Sequence, residues 1–420
     1  MKNNSLKGIL ILSLSLLMIP TLQAQVGLEL EVRPRTEFRN GYKNSQSIAG
    51  QVPEFVTSQR TSLGVSFGGK VNGYVNVRDV RTWGEETVKK DNPGLFIKEA
   101  WMEVPLAPGW TVKAGRQELK YDDQRILAAT NWNQVGTSHD VAIVKFKADR
   151  FQHHLGLAYN NETGSSNFES WYPLPYYKAL IMAWFQFKIG ESTQLSLLGV
   201  NDINAKDSTT HDYFSRYTYG GTLKIKPMDA LNINATAFLQ QGLNTSGKKV
   251  NAHLVSVLAD WSFAGGTGLS LGTDLFSGND PNTPSETDHV FNKLYGAVHK
   301  YLGYMDYFPS SKHGILDLYG GLELNPFDKS TLSLILHRFE LPHAYTHPTD
   351  GTQLDRTLGT EFDIELGFDI SDNASFGFIH AILWGTPTMD VVKGGEHETF
   401  SNFAMVMITW KPSYKWNATE

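Results

Sequence analysis

The chain has 420 residues, a formal net charge of −6, 12% aromatic side chains, 38 glycines and no cysteine. The acidic balance excludes a global basic field for nucleic acid, and the missing thiols exclude cysteine catalysis, disulfides, thiolate metal centres and a lipoprotein anchor. No apolar segment after Met18 approaches the ~20 residues that a helical membrane span needs.

In chain order, Lys2 and Lys7 precede an apolar run, Gly8 to Met18, and Leu22-Gln23-Ala24 offers a cleavage site. This pattern predicts an export signal over 1–24 and a single domain over 25–420. From Gln25 onward, period-two alternation dominates. In the first strand Leu28, Leu30 and Val32 share one side, while Glu29, Glu31, Arg33, Arg35, Glu37 and Arg39 share the other. An arginine facing lipid near midplane costs about 2–4 kcal/mol. The charged side must therefore look inward, onto a hydrated lumen, with Arg60 and Arg78 of the next strands on the same wall.

Tight turns are expected at Gly68-Gly69, Leu106 to Gly109, Ala148 to Arg150, Gly190 to Ser192, Pro227 to Asp229, Gly265-Gly266, Pro326 to Asp328 and Ser371 to Asn373. Longer polar connections alternate with them, near 40–55, 83–94, 120–138, 161–176, 203–215, 241–250, 278–311, 341–356 and 385–399. Short turns alternating with long loops are the build of a transmembrane antiparallel β-barrel, all-β, with turns periplasmic and loops extracellular. Joined this way, the chain makes about eighteen strands. The segments 120–138 and 278–311 are long enough to hide a further hairpin.

Alternation is clearest in Arg216 to Lys226, Leu231 to Gln240 and Glu361 to Ile370. The last places Glu361, Asp363, Glu365 and Asp369 on one face, an acidic wall a few strands from the basic one. Two readings of the arginines stay open: pairing with Glu29, Glu31 and Glu37 to stiffen the wall, or a positive filter for carboxylate and phosphate groups. Tyr159, Trp184, Phe185, Phe187, Tyr217, Tyr219, Trp261, Phe263, Trp384, Phe403 and Trp410 fall near strand ends, where interfacial girdles sit. Trp184 could alternatively be a stacking platform for sugar rings.

Residues 115–126 read Gly-Arg-Gln-Glu-Leu-Lys-Tyr-Asp-Asp-Gln-Arg-Ile, followed by Trp132, Gln134, Gly136 and His139-Asp140. This block, with Lys98 to Glu103 before it, resembles the alginate export family of outer-membrane barrels. The resemblance implies a monomeric eighteen-stranded barrel whose arginine-lined constriction passes an anionic polysaccharide. It sets Gly115, Arg116, Gln117, Asp122, Asp123, Arg125, Trp132 and Asp140 at family positions. The chain departs from the family at Thr137-Ser138, where a basic residue is usual, and in the tail Lys411 to Glu420, which follows the last strand in place of a terminal aromatic. Physically, Asp122, Asp123 and Arg125 also read as a salt-bridged loop.

The expected function is a channel in the outer membrane of a Gram-negative bacterium. It would pass hydrophilic anionic solutes (polysaccharide, uronate or another carboxylate) along Arg33, Arg35, Arg39, Arg60, Arg78, Arg116 and Arg125. The alternatives are a general diffusion porin without an anion filter and an enzyme at the barrel rim. For the enzyme, the nearest constellation is Asp122-Asp123 with His139-Asp140, and no serine lies in a recognisable motif. His153-His154 point to opposite faces of a strand, and His343 and His347 lie in a polar loop, so neither pair suggests a metal. No cofactor is expected. Expected partners are outer-membrane lipid, the anionic solute, barrel-assembly machinery and periplasmic secretion proteins, with no nucleic acid.

Overall fold

The computed structural model describes residues 25–43, 45–85, 94–160, 176–206, 212–308 and 311–416. The predicted export signal and the centres of the loops at 83–94, 161–176 and 203–215 lie outside them. The barrel strands are β1 Gln25–Asn40, β2 Glu54–Gly68, β3 Asn72–Thr82, β4 Phe96–Ala107, β5 Trp110–Gln117 and β6 His139–Lys147. They continue with β7 Phe151–Tyr159, β8 Ala179–Ile189, β9 Thr193–Ala205, β10 Tyr213–Met228, β11 Leu231–Leu243 and β12 Lys249–Ser262. The last six are β13 Gly268–Phe276, β14 Ile315–Leu324, β15 Ser330–Glu340, β16 Thr357–Ser371, β17 Ala374–Gly385 and β18 Ser401–Trp410. Each pairs antiparallel with its neighbour in sequence, and β1 closes the ring against β18. The fold is a closed eighteen-stranded barrel. All the expected tight turns join strand pairs at one end, and the long connections leave from the other.

The closing seam holds a detail that the sequence reading treated as a departure. After Lys411-Pro412 the chain resumes as Ser413–Trp416 and pairs with Val26 to Glu29, in the register already set by Val32 opposite Trp410. Pro412 has no N–H to give, but its carbonyl accepts from the Leu30 amide at 3.0 Å. Pro34 of β1, opposite Gln59 of β2, lacks a donor in the same way. The tail is thus part of β18, and it carries its own aromatic pair, Tyr414 and Trp416.

Parity sorts the side chains. Leu63, Val75, Met102, Leu157, Val255, Leu271, Leu318 and Ile408 stand exposed on the outside, while Arg33, Arg35, Glu37, Arg60 and Arg78 are buried within. Only lipid makes such an exterior stable. Leu63 faces Leu30 across the β1–β2 ladder. Leu63→Arg should therefore destabilise the barrel by about 2–4 kcal/mol in vesicle refolding titrations, the depth-dependent cost of a lipid-facing arginine; an unchanged midpoint would count against this orientation. Near the turns, Trp110 packs on Phe146 (4.9 Å between centroids) and Phe151 on Phe187 (5.0 Å), part of the expected girdle.

Two expected girdle residues are inside instead. Trp184 and Phe403 are 7% and 0% exposed, because each lies on the inward parity of its strand. They join an apolar core at the loop end of the lumen; of the two, only Trp184 carries an alternative interior reading. Inward residues Leu180, Met182, Leu254, Phe339, Ile379 and Phe403 pack there against Leu119, Ile126 and Leu127 of the β5–β6 loop and Met305, Tyr307 and Phe308 of the β13–β14 loop. Strands buried on both faces read as continuous apolar runs, and Leu180 to Phe185 and Ala381 to Trp384 are such runs. Among the described residues the two long segments add no membrane-crossing strand; the second holds only the short strand Thr287–Asp288, paired parallel with the start of β12. Both segments fold into the lumen. Helix α1, Pro387–Lys393, capped by Thr386, sits in the β17–β18 loop and buries Met389 against the same core.

Candidate functional site

A loop without regular structure enters a barrel only if its main-chain polar groups find partners. The basic wall supplies them for the β5–β6 loop. Arg33 donates to the carbonyls of Asn131 (2.9 Å) and Asn133 (3.1 Å) and to Gln134 Oε1 (2.9 Å). Arg35 donates to Trp132 O (2.7 Å), Arg60 to Gln134 O (2.7 Å) and Asn133 O (2.5 Å), and Arg78 to Val135 O (2.8 Å). Lys98 continues the row with Thr137 O at 2.6 Å. A guanidinium with five donors in a plane suits this task, and donors carrying full charge make the stronger hydrogen bonds. Arg35 also pairs with Glu37 (2.8 Å) and Arg60 with Glu31 (3.2 Å), so wall stiffening occurs as well. The main use of these arginines is to grip a backbone. Sequence reasoning could not find that use, because carbonyl acceptors carry no residue signature.

The block from Gly115 to Asp140 builds and anchors this loop. Gly115 has φ +120°, and a Cβ there would lie 2.2 Å from Ala100 O, so only glycine fits. Gln117 donates to Val141 O at 3.0 Å. Asp122 accepts from Trp184 Nε1 at 3.0 Å, and burial holds its carboxyl above the usual range. Asp123 accepts from Thr236 (2.9 Å) and pairs with Arg125 (3.0 Å). Arg125 then reaches the far wall, where both of its terminal nitrogens meet Asp274 of β13 at 2.8 and 2.9 Å. Its guanidinium lies 3.7 Å over the Tyr301 ring. Trp132 stacks on His299 at 3.9 Å.

One expected lumen position needs correction. Arg116 does not line the bore: Gln117 is the inward residue, so Arg116 faces out and pairs there with Asp140 at 3.0 Å. Arg39 is on the inward side, at the loop end of β1, paired with Glu37 and Glu54. The same parity separates the rim constellation, since His139 is inside, on Tyr177 (2.8 Å), and Asp140 outside. His154 meets Tyr121 at 2.9 Å, His153 lies among Trp110 and Phe151, and His347 neighbours Asp350 at 3.2 Å.

The β13–β14 loop is joined to the first loop edge to edge. Ala128 N donates to Tyr295 O (3.0 Å), Tyr295 N to Ile126 O (3.1 Å) and Ala297 N to Gln124 O (2.8 Å). Its other end is taken by the acidic wall: Tyr304 N donates to Asp363 (3.2 Å), Met305 N to Glu361 (2.8 Å) and Tyr304 Oη to Glu365 (2.5 Å). The basic wall thus holds carbonyls and the acidic wall holds N–H groups, and the two loops form one plug.

Between the plug and the end of β1 lies a chamber of about 720 Å³. Four cations line it, Arg35, Arg39, Lys43 and Lys300, against two carboxylates, Glu37 and Asp306, with the rings of Tyr42, Trp132 and Tyr304 between them. Lys300 rests 5.3 Å from the Tyr301 ring, and burial, with Arg125, Lys224 and Lys120 nearby, lowers its ammonium pKa. Lys43 and Lys300 stand at loop positions, where no alternation points to them.

The alginate export family model matches residues 24–375. Solved structures of the same fold include Pseudomonas aeruginosa OpdK (TM-score 0.63, 11% identity, 93% of this chain and 99% of that chain). OpdK with vanillate aligns with a TM-score of 0.62, at 11% identity and the same coverage. Pseudomonas aeruginosa OccD3 aligns with a TM-score of 0.60, at 12% identity, over 92% of this chain and 91% of that one. Among curated proteins none matches. Lipid-facing exterior, loop-constricted lumen and a family match over most of the length agree: the chain is an outer-membrane channel and belongs to the alginate export family.

Proposed function

We propose that the channel passes hydrophilic solutes carrying carboxylates, such as uronates or the units of an anionic polysaccharide, and that the chamber beside the plug selects them. The supporting observation is the chamber's excess of cations over carboxylates, set beside aromatic faces. Guanidinium and ammonium groups attract carboxylate oxygens, and cationic linings favour anions in pores. Its volume falls within the ~300–1,000 Å³ typical of small-ligand sites, so the solute would be engaged a ring or a few at a time. OpdK, solved with vanillate, is a channel-fold neighbour with a carboxylate-bearing molecule.

In planar bilayers under a salt gradient, the reversal potential should report anion preference, and Lys43→Glu with Lys300→Glu should weaken or invert it. A wild-type preference for cations, or a double variant as anion-selective as the parent, would favour the general diffusion porin.

A further inference from the structure

We propose that the β13–β14 loop is a proton-responsive gate, latched by the Glu361–Asp363 pair of β16 and released on acidification. The inference rests on this lumen being the solute's route.

The latch is a cluster of buried charge. Glu361 and Asp363 are 0% and 1% exposed, and Asp317 of β14 is 0% exposed. One imidazole serves two of them: His337 of β15 lies 2.8 Å from Asp317 through Nδ1 and 3.6 Å from Asp363 through Nε2. Asp317 Oδ1, Glu361 Oε2 and Asp363 Oδ1 are buried with no hydrogen-bond partner among the described residues. The other groups facing the cluster are already engaged. Asp274 is held by Arg125, Glu365 by Tyr304, and Asp306 by His299 and Tyr42. Tyr307 donates to Gly41 O, and Tyr319 of β14 stacks near His337 at 5.5 Å.

What the cluster holds is the loop's main chain, through the Tyr304 and Met305 amides. Gly303 makes that approach possible. Its φ is +78°, and a Cβ would fall 2.4 Å from Glu361 Oε1, so the backbone sits directly on the carboxylate. A first proton can bridge Glu361 and Asp363 through their unpartnered oxygens. A second neutralises the charge that remains. It turns the grip on the two amides into neutral hydrogen bonds, roughly half as strong as charged ones, and leaves His337 with less counter-charge. Like charges buried side by side with unpartnered oxygens favour proton uptake as the medium acidifies, so acid loosens the loop.

The test is conductance of the full-length protein in planar bilayers between about pH 7.5 and about pH 5, where histidines and interacting carboxylates titrate. The wild type should show a severalfold rise on the acid side. Glu361→Gln with Asp363→Asn should conduct at the acid level at both pH values. If that double variant fails to fold, judged by heat-modifiable migration, Gly303→Ala decides. It keeps every titratable group and displaces the loop by contact alone, so it should conduct highly at neutral pH with the response abolished. A conducting wild type indifferent to pH, or a response retained in the variants, would overturn the latch alone. No conductance at any pH would overturn both the latch and the route it depends on.

Discussion

Arg125→Ala should widen the channel. The Arg125–Asp274 pair is the buried ion pair by which the β5–β6 loop reaches the β13 wall, and both side chains are at most 3% exposed. Breaking a buried ion pair by removing one partner typically costs about 3–5 kcal/mol, because the other charge is left uncompensated. Here Asp274 would be stranded, and the least costly response is for the Asp123–Leu127 end of the loop to draw back from β13 so that water reaches the carboxylate, while the basic wall keeps its hold on 131–135. Single-channel conductance should rise, and protease should cut within 118–138 while the strand signal in circular dichroism stays. Arg125→Met combined with Asp274→Leu removes both charges and should retain most of the loop's protection, as a buried pair replaced by apolar groups often does. Equal exposure in single and double variants would refute the crossing tie.

Arg33→Ala with Arg78→Ala should have a comparably large effect on loop position and little on ion selectivity. The two arginines donate to carbonyls of the 131–135 segment and are 7% and 5% exposed, so neither offers a free face to a passing ion. Hydrogen bonds to charged groups contribute about 1.5–3 kcal/mol each, and Arg33 alone makes several. Arg33→Lys should behave nearly like Arg33→Ala, since an ammonium cannot reproduce the planar fork that meets Asn131, Asn133 and Gln134 together. Conductance and reversal potential, measured on the same channels, separate the outcomes. Inverted selectivity at unchanged conductance would restore these residues to the role of filter.

Much of this fold was legible in the sequence because a barrel strand writes its two environments into alternate residues. Leu28, Leu30 and Val32 against Arg33, Arg35 and Glu37 set the orientation, and every tight turn announced itself by glycine, proline or an acidic-polar triplet. The plug was not legible. Its carbonyls at 131–135 and amides at 304 and 305 are the same in any residue, so the arginines looked like either bracing or a filter when they were neither alone. The inner core left a trace, in runs such as Leu180 to Phe185 that are apolar on both parities. Arg116 was misplaced for a simpler reason: arginine near a strand end can stand in the headgroup region, so charge by itself does not fix which way it faces.

Pro34 and Pro412 lie on β1 and on the continuation of β18, the two strands that are free borders until the ring is complete. An unfinished sheet with open borders invites pairing with a second nascent chain. A proline on each border removes one ladder donor from either side, so a stray strand finds an interrupted edge. The pair of imino acids costs the finished barrel little at its seam and guards the unfinished one against aggregation.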